Sequence, residues 1–317
     1  MSGKELDDTL ADIESLHVGW LRFDLSWDEV QPSGPDHSDW SNYDRIVAAA
    51  NRHHIQVLPI LTYTPKWARL PACANFRDVN AFKCAPANPA QFARFAAAAA
   101  EHFRPLGVTH WEIWTEPNIV YFWRPAPDVR AYTELLKQSY TSIKAVDPDS
   151  VVISGGLSPV ENLKTTVDPV EYLKGMYANG AKNYMDAVGY HPYSYPALPS
   201  NVLSWNSWSE MADRNPSIRS VMVDNGDGDK QIWATEFGVP TSGPRSYASE
   251  DLQTYSFADA IQQMKGKPWL ATLFFHTYKD VGNDPGTIED FFGVVRYDGS
   301  KKPAYYKLKE LLAAGNQ

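Results

Sequence analysis

The sequence predicts an α/β barrel, a (β/α)8 arrangement of parallel strands alternating with helices. Three observations carry the expectation. Short apolar or aromatic runs alternate with amphipathic helical segments along the whole chain, and right-handed crossovers then place the strands in one parallel sheet. Two of the strands each close on a glutamate followed directly by turn chemistry, in Trp111-Glu112-Ile113-Trp114-Thr115-Glu116-Pro117-Asn118 and in Gln231-Ile232-Trp233-Ala234-Thr235-Glu236-Phe237-Gly238. The 317 residues suffice for one such barrel, which needs about 250.

The elements follow in order. Ser2 and Glu5 are spaced as a capping box, and Leu6, Leu10, Ile13 and Leu16 repeat behind them at helical spacing. Val18 to Phe23 reads as a strand and Asn42 to His53 as a helix. Ile55 to Leu61 is a continuous apolar run, the mark of a buried parallel strand. Tyr63 to Ala87 is a long loop, a length that usually serves function. Asn88 caps the next helix, with Pro89 in its first turn and Gln91 completing the box. His110 to Trp114 is the aromatic, β-branched strand of the first glutamate, and Pro117 cannot join a ladder, so the strand stops at Glu116. A helix from Asp128 to Val146, a strand from Val151 to Ser154, a helix opened by Asp168-Pro169-Val170-Glu171 and ended by Gly180, and a strand from Ala187 to His191 come next. Asn201 to Asp224 is mixed, with Pro216 breaking any helix. The Glu236 strand, a helix from Glu250 to Met264, a strand from Trp269 to Tyr278, a loop from Lys279 to Lys302 and a helix from Pro303 to Ala313 complete the chain. With no repeat and no linker, residues 1–317 read as one domain. Seven strands are counted, and the chain opens with a helix.

Composition narrows the function. The apolar fraction is 44% and the charged fraction 21%, ordinary for a globular enzyme. The formal charge is −9, from 29 basic and 38 acidic residues without a basic run, which argues against nucleic acid and against a strongly anionic polymer as partner. No apolar stretch reaches the roughly 18 residues that span a membrane. Cys73 and Cys84, the two cysteines, lie in one loop without metal-type spacing and read as a disulfide, which favours an oxidising compartment. The start Met1-Ser2-Gly3-Lys4 has no apolar signal core, so the expectation is a secreted or extracytoplasmic protein whose signal peptide is absent from the sequence, against the alternative of a cytoplasmic one. A monomer is expected, and no cofactor or metal.

Two carboxylates at strand ends can face each other across one cleft. At about 5–5.5 Å they hydrolyse a glycosidic bond with retention, one as acid/base and one as nucleophile. Trp114-Thr115-Glu116-Pro117-Asn118 resembles the acid/base motif of glycoside hydrolase clan A, commonly Trp-Asn-Glu-Pro-Asn, and Thr235-Glu236-Phe237-Gly238 resembles that clan's nucleophile strand. The similarity covers most of the chain and points to the bacterial family 39 and family 5-like enzymes. It implies a retaining glycosidase acting on a carbohydrate, with Glu116 as acid/base and Glu236 as nucleophile. Glu116 must carry a proton for the leaving oxygen, and Glu236 must stay ionised.

The resemblance further implies Arg22 as the cation and Tyr193 as the hydroxyl beside Glu236, against the alternatives of a surface salt bridge and of core packing. His191 corresponds to the clan's site histidine, or it is a structural donor ahead of Pro192. Asn118 either lines the pocket or caps the following turn. Trp27, Trp67, Trp114, Trp123 and Phe275 are candidate sugar platforms, of which two or more are expected in the cleft. His276, Tyr278 and Asp280 are candidates for the reducing side of the sugar. Thr115 stands where the clan has the asparagine that holds the sugar 2-hydroxyl, a contact that strengthens in the transition state. Threonine reaches less far, so the rival expectation is a carbohydrate-binding protein on the same fold with impaired turnover. A metal-dependent hydrolase using His53, His54 and His191 is the third, disfavoured because adjacent histidines on a helix point apart. In the clan the two glutamates close the fourth and seventh strands. Here they close the third and sixth counted, which implies that the first barrel strand is missing, or else that one strand has escaped the count.

Overall fold

The computed structural model describes residues 2–73, 75–244 and 249–315. Seven strands, β1 (Trp20–Ser26), β2 (Gln56–Thr62), β3 (His110–Ile113), β4 (Val151–Ser154), β5 (Ala187–Tyr190), β6 (Gln231–Phe237) and β7 (Leu270–Phe275), form one sheet in chain order. Every neighbouring pair is parallel. The helices α1 (Gly3–Glu14), α2 (Trp27–Val30), α3 (Ser41–Arg52), α4 (Pro89–Phe103), α5 (Val129–Val146), α6 (Pro169–Ala178), α7 (Ile218–Asp224), α8 (Glu250–Met264) and α9 (Pro303–Gly315) come between and after the strands. This is a (β/α)8 barrel lacking one strand. Among the described residues no ladder joins β7 to β1, so the sheet is open there. That seam stands where the first strand of an eight-stranded barrel would run, ahead of α1. A cavity of about 450 Å³ fills it, lined by Trp20, Leu21, Ile261, Phe274, Phe275 and Leu308 among others.

Strand alternation sorts the side chains. On β1, Trp20, Arg22 and Asp24 share one face while Leu21 and Leu25 pack outward against the helices. Trp20, His110, Trp233 and Phe274 meet edge-on, tilted or stacked at 4.8–6.4 Å and plug the barrel with Leu58 and Ile153. Outside the sheet a continuous core runs from Leu10 to Leu308. α1 begins with the expected capping box, the Ser2 hydroxyl accepting from the Glu5 N–H and the Glu5 carboxylate from the Ser2 N–H. On α4, Asn88 accepts from the Ala90 N–H, one position earlier than a box with Gln91 requires.

Several boundaries differ from expectation, among them β7, which ends at Phe275 and not at Tyr278. β1 runs on to Ser26, three residues past Phe23, because its register with β2 continues to Ser26 opposite Thr62. β3 ends at Ile113, since Trp114 takes φ 69° and buries its ring. Beyond Pro216 the chain recovers a helix, α7, capped by the Ser217 hydroxyl on the Ser220 N–H. Cys73 and Cys84 are bridged, with Cα atoms 6.4 Å apart. Across the open side, Asp12 of α1 accepts from the hydroxyls of Tyr278 and Tyr305 and pairs with Lys301. Among the described residues no helix is long and apolar enough to cross a membrane.

Candidate active site

Arg22, at the centre of β1, organises the C-terminal end of the barrel. Its Nε and Nη2 donate to the two oxygens of Glu112 at 2.6 and 3.1 Å, and its Nη1 donates to Glu236 Oε2 at 3.0 Å. A planar guanidinium suits this fork, one carboxylate held bidentately and a second end-on. Glu112 is wholly buried, and its Oε1 also accepts from the Gly156 N–H at 2.9 Å. A buried charge persists only when paired in this way. Arg22 thus serves as the cation beside Glu236, and its exposure of about 10% excludes the surface salt bridge.

Tyr193 donates to Glu236 Oε1 at 2.5 Å, and His276 Nδ1 lies 3.7 Å from the same oxygen. Burial alone would raise the Glu236 carboxyl. His191, His276, the permanent charge of Arg22 and the Tyr193 hydroxyl outweigh it and hold the group well below the ordinary carboxylate range. Glu236 is therefore ionised at neutral pH. The Tyr193 phenol is pushed far up by burial first and by Glu236 second, so it stays a proton donor to that oxygen.

His191 joins the two glutamates. Its Nδ1 is 2.9 Å from Glu116 Oε1, and its Nε2 is 4.0 Å from Glu236 Oε2 and 3.5 Å from Arg22 Nη2. Arginine only donates, so Nε2 faces a donor, and the network assigns the proton to Nδ1, which donates to Glu116. The ring is wholly buried and packs over Gly156. A Cβ on Gly156 would lie 2.1 Å from His191 Nε2 and 2.5 Å from Thr235 Oγ1, so no other residue fits there without moving the histidine.

The backbone is strained where these groups emerge. Tyr63, Trp114 and Glu116 have φ of 65°, 69° and 43°, left-handed values that cost non-glycine residues about 1–3 kcal/mol each. The surroundings impose them. The Trp114 N–H donates to Leu61 O and the Glu116 N–H to Gly156 O, both at 2.9 Å, so Glu116 is pinned to the turn that seats His191. Tyr63 donates to Asp24 Oδ2 at 3.0 Å, placing a carboxylate at the rim of the cleft. Crowding by protein, then Glu236 and Glu112, push the Asp24 carboxyl up against the pull of Arg22 and Tyr63.

The structure brings together Arg22, Thr115, Glu116, His191, Tyr193, Glu236 and His276. Thr115 Oγ1 lies 3.4 Å from Arg22 Nη2, an acceptor for that guanidinium. Other candidates are placed elsewhere. Trp27, Trp114 and Trp123 are at most 2% exposed, and rings enclosed on both faces cannot stack on a sugar. Trp67 is half-buried, edge-on to Trp27, with its indole N–H on Gln31 O. Phe275 packs on Phe257 at 4.5 Å and lines the seam cavity. Asn118 is wholly buried and spends its carboxamide on Ser158 and Val167, tying two loops together. Tyr278 gives its hydroxyl to Asp12, and Asp280 is buried against Lys302. Trp27, Trp114 and Trp123 are therefore core residues, while Trp67 and Phe275 stay partly exposed, Phe275 in the cavity that also reaches Arg22 and Glu236.

Glu112, Asp24 and Glu289 escaped the sequence reading. The signal for Glu112 was present, since it lies two and four residues before Trp114 and Glu116 on an alternating strand. Asp24 had the same relation to Arg22. Glu289, on the loop after β7, has its carboxyl raised by lost hydration and by Glu236 and Glu116 against His276.

No family model and no curated protein matches the chain. Solved structures do. A family 39 glycoside hydrolase from Bacteroides cellulosilyticus WH2 superposes with a TM-score of 0.75 at 23% identity, over 98% of this chain and 61% of that one. The GH39 enzyme from Xanthomonas axonopodis pv. citri gives 0.73 at 20%, over 97% and 62%. Xylanase 10B from Thermotoga petrophila gives 0.63 at 16%, over 98% and 90%. The chain spans about three-fifths of the length of the two family 39 structures. The structural neighbours are thus family 39 enzymes and other clan A glycoside hydrolases, and at these identities the likeness establishes the fold.

Proposed function

We propose that residues 1–317 form one catalytic barrel of a retaining glycoside hydrolase that cleaves a β-linked or equivalent equatorial glycoside of an oligo- or polysaccharide. Glu116 is its acid/base and Glu236 its nucleophile. One observation carries the reading. A single buried histidine touches both glutamates, and a buried arginine holds the second of them ionised. The neighbours' activities support it, among them a β-xylosidase from Caulobacter crescentus. The disulfide supports an extracytoplasmic location.

In the first step a Glu236 oxygen attacks the anomeric carbon. The bond to the leaving oxygen breaks, and that oxygen takes the proton of Glu116. Arg22 and Tyr193 hold the Glu236 carboxylate in place for the attack. In the second step water attacks the same carbon, gives its proton to Glu116 and frees Glu236. His191 donates to Glu116 Oε1 throughout, which leaves Oε2 for the proton in transit. The Thr115 hydroxyl, turned to Arg22, reaches the sugar 2-hydroxyl less well than a carboxamide, and part of that contact passes to the neighbouring donors.

Hydrolysis of aryl glycosides separates the roles. Glu236→Ala abolishes turnover on every substrate. Glu116→Ala spares aryl glycosides with good leaving groups and loses roughly 10²–10⁴-fold on natural ones. Azide gives the β-azide with Glu116→Ala and the inverted product with Glu236→Ala. Near-normal turnover of a natural glycoside by both variants contradicts the assignment.

A further inference from the structure

One charged group near the site is used by nothing described above. Lys83, on the loop between β2 and α4, is 6% exposed, and among the described residues its ammonium makes no hydrogen bond and no ion pair. It sits 3.5 Å above the centre of the Tyr121 ring and 4.1 Å from that of Phe122. Ring faces attract a cation but accept no classical hydrogen bond, so the three N–H groups have no protein acceptor among the described residues. Asp24 and Glu116 act on Lys83 through space, yet neither comes within ion-pair distance. Asp24 accepts from Tyr63 through Oδ2, its other oxygen has no partner among the described residues, and the side chain is open to solvent. The mount is rigid. The Lys83 N–H donates to Asn80 O at 3.0 Å, its carbonyl accepts from Arg124 at 3.1 Å, and the next residue is the disulfide half Cys84.

Tyr63 packs on Phe82, the neighbour of Lys83, at 4.7 Å and donates to Asp24, so the ammonium and the exposed carboxylate lie near each other without touching and leave room for a group that accepts from one and donates to the other. A hydroxyl does both. We infer that Lys83 is a further substrate-binding residue, which with Asp24 reads a hydroxyl of an uncharged sugar beside Glu116, with Tyr121 as the adjoining wall. The inference rests on the glycosidase reading. The sugar is uncharged because Asp24 already balances the one cation of Lys83, and a uronate would meet that carboxylate. Loss of hydration brings the ammonium down to about 8, against Asp24 and Glu116 and with Arg124, consistent with a group awaiting an acceptor.

The test measures binding apart from turnover. In a Glu236→Gln background, xylotriose, cellotriose and mannotriose are titrated calorimetrically against the protein with Lys83, with Lys83→Met and with Asp24→Asn. Methionine keeps the contact with the rings, and thermal melting confirms the fold. At least one trisaccharide should bind, and each variant should weaken it about tenfold or more, the worth of a charged hydrogen bond. If Lys83→Met fails to fold, Asp24→Asn decides alone. Equal affinity in all three proteins, or no binding of any trisaccharide, overturns the proposal. So does at least tenfold faster hydrolysis of 4-nitrophenyl β-glucuronide than of the β-glucoside by the unmodified protein. Because affinity is the readout, the subsite can fail while the Glu236 assay succeeds, and the reverse.

Discussion

Gly156 shows how closely single residues are specified at the site. Gly156→Ala puts a methyl group where His191 Nε2 stands, so the ring must swing and its contacts with both glutamates must lengthen. Turnover should fall more than tenfold. The melting temperature should drop by the equivalent of about 1–3 kcal/mol, the ordinary cost of overpacking. Unchanged turnover at the normal melting temperature would show that His191 does not position the pair. Glu236 gives a second expectation. Its folded value lies below the unfolded one, near about 4.3 for a free glutamate, so its stabilising contribution is complete above that and is lost as pH falls through the folded value. The acid limb of kcat/KM should therefore lie below about pH 4. A limb at pH 5 or above would contradict the ion pair with Arg22. Much of this site was legible in the sequence. Glu116 and Glu236 announced themselves by following apolar strand runs just ahead of turn residues, whereas Arg22, His191 and Tyr193 were implied by the resemblance to clan A. The tryptophans misled, because indole serves core and cleft equally and only packing separates the two. Glu112 went unread because a carboxylate inside a barrel is sensible only once its arginine is known to lie across from it.

At the scale of elements, the loop between β2 and α4 is the one most dependent on a covalent tie. Its 3-10 turns Pro71–Cys73 and Ala81–Lys83 are short, and the disulfide ties together two cysteines 11 positions apart. Replacing both cysteines by serine should cost up to roughly 3 kcal/mol on the loop-entropy model. The loss is readable as a lower denaturation midpoint and as a fall with dithiothreitol in the parent protein alone. Equal midpoints with and without reductant would refute a stabilising bridge. The strands were read more reliably than their ends. Apolar runs such as Gln56–Thr62 fix where a parallel strand lies, whereas its last residue is set by the neighbour's length, as β2 draws β1 on to Ser26. The exit of β3 was misjudged because a left-handed tryptophan has no signature in composition and arises from tertiary contacts.

For the whole molecule, the sheet order leaves β1 and β7 each with one unpaired edge. Amides on those edges should exchange with deuterium faster than those of β3 and β4. Uniform protection across all seven strands would contradict an open seam in solution. The strand count read from the sequence, one short of eight, already implied such an opening. It could not say what spans it, because that depends on side chains from both ends of the chain meeting in space.

Those side chains turn the seam into a clasp worked by protons. Asp12 fastens α1 to Tyr278, Tyr305 and Lys301. Burial alone would raise its carboxyl, and the three partners bring it below the ordinary value instead. Such a fastening holds at neutral pH and releases as acid protonates the carboxylate. On the inner side, Arg22 of β1 grips Glu236 of β6 across the same opening, again through a carboxylate. Where a closed barrel relies on main-chain ladders indifferent to acid, this one is laced by two carboxylates on its weakest flank. Acidification should therefore unlace it from the Glu236 side, while the β3–β4 wall beside Glu116 is still in place.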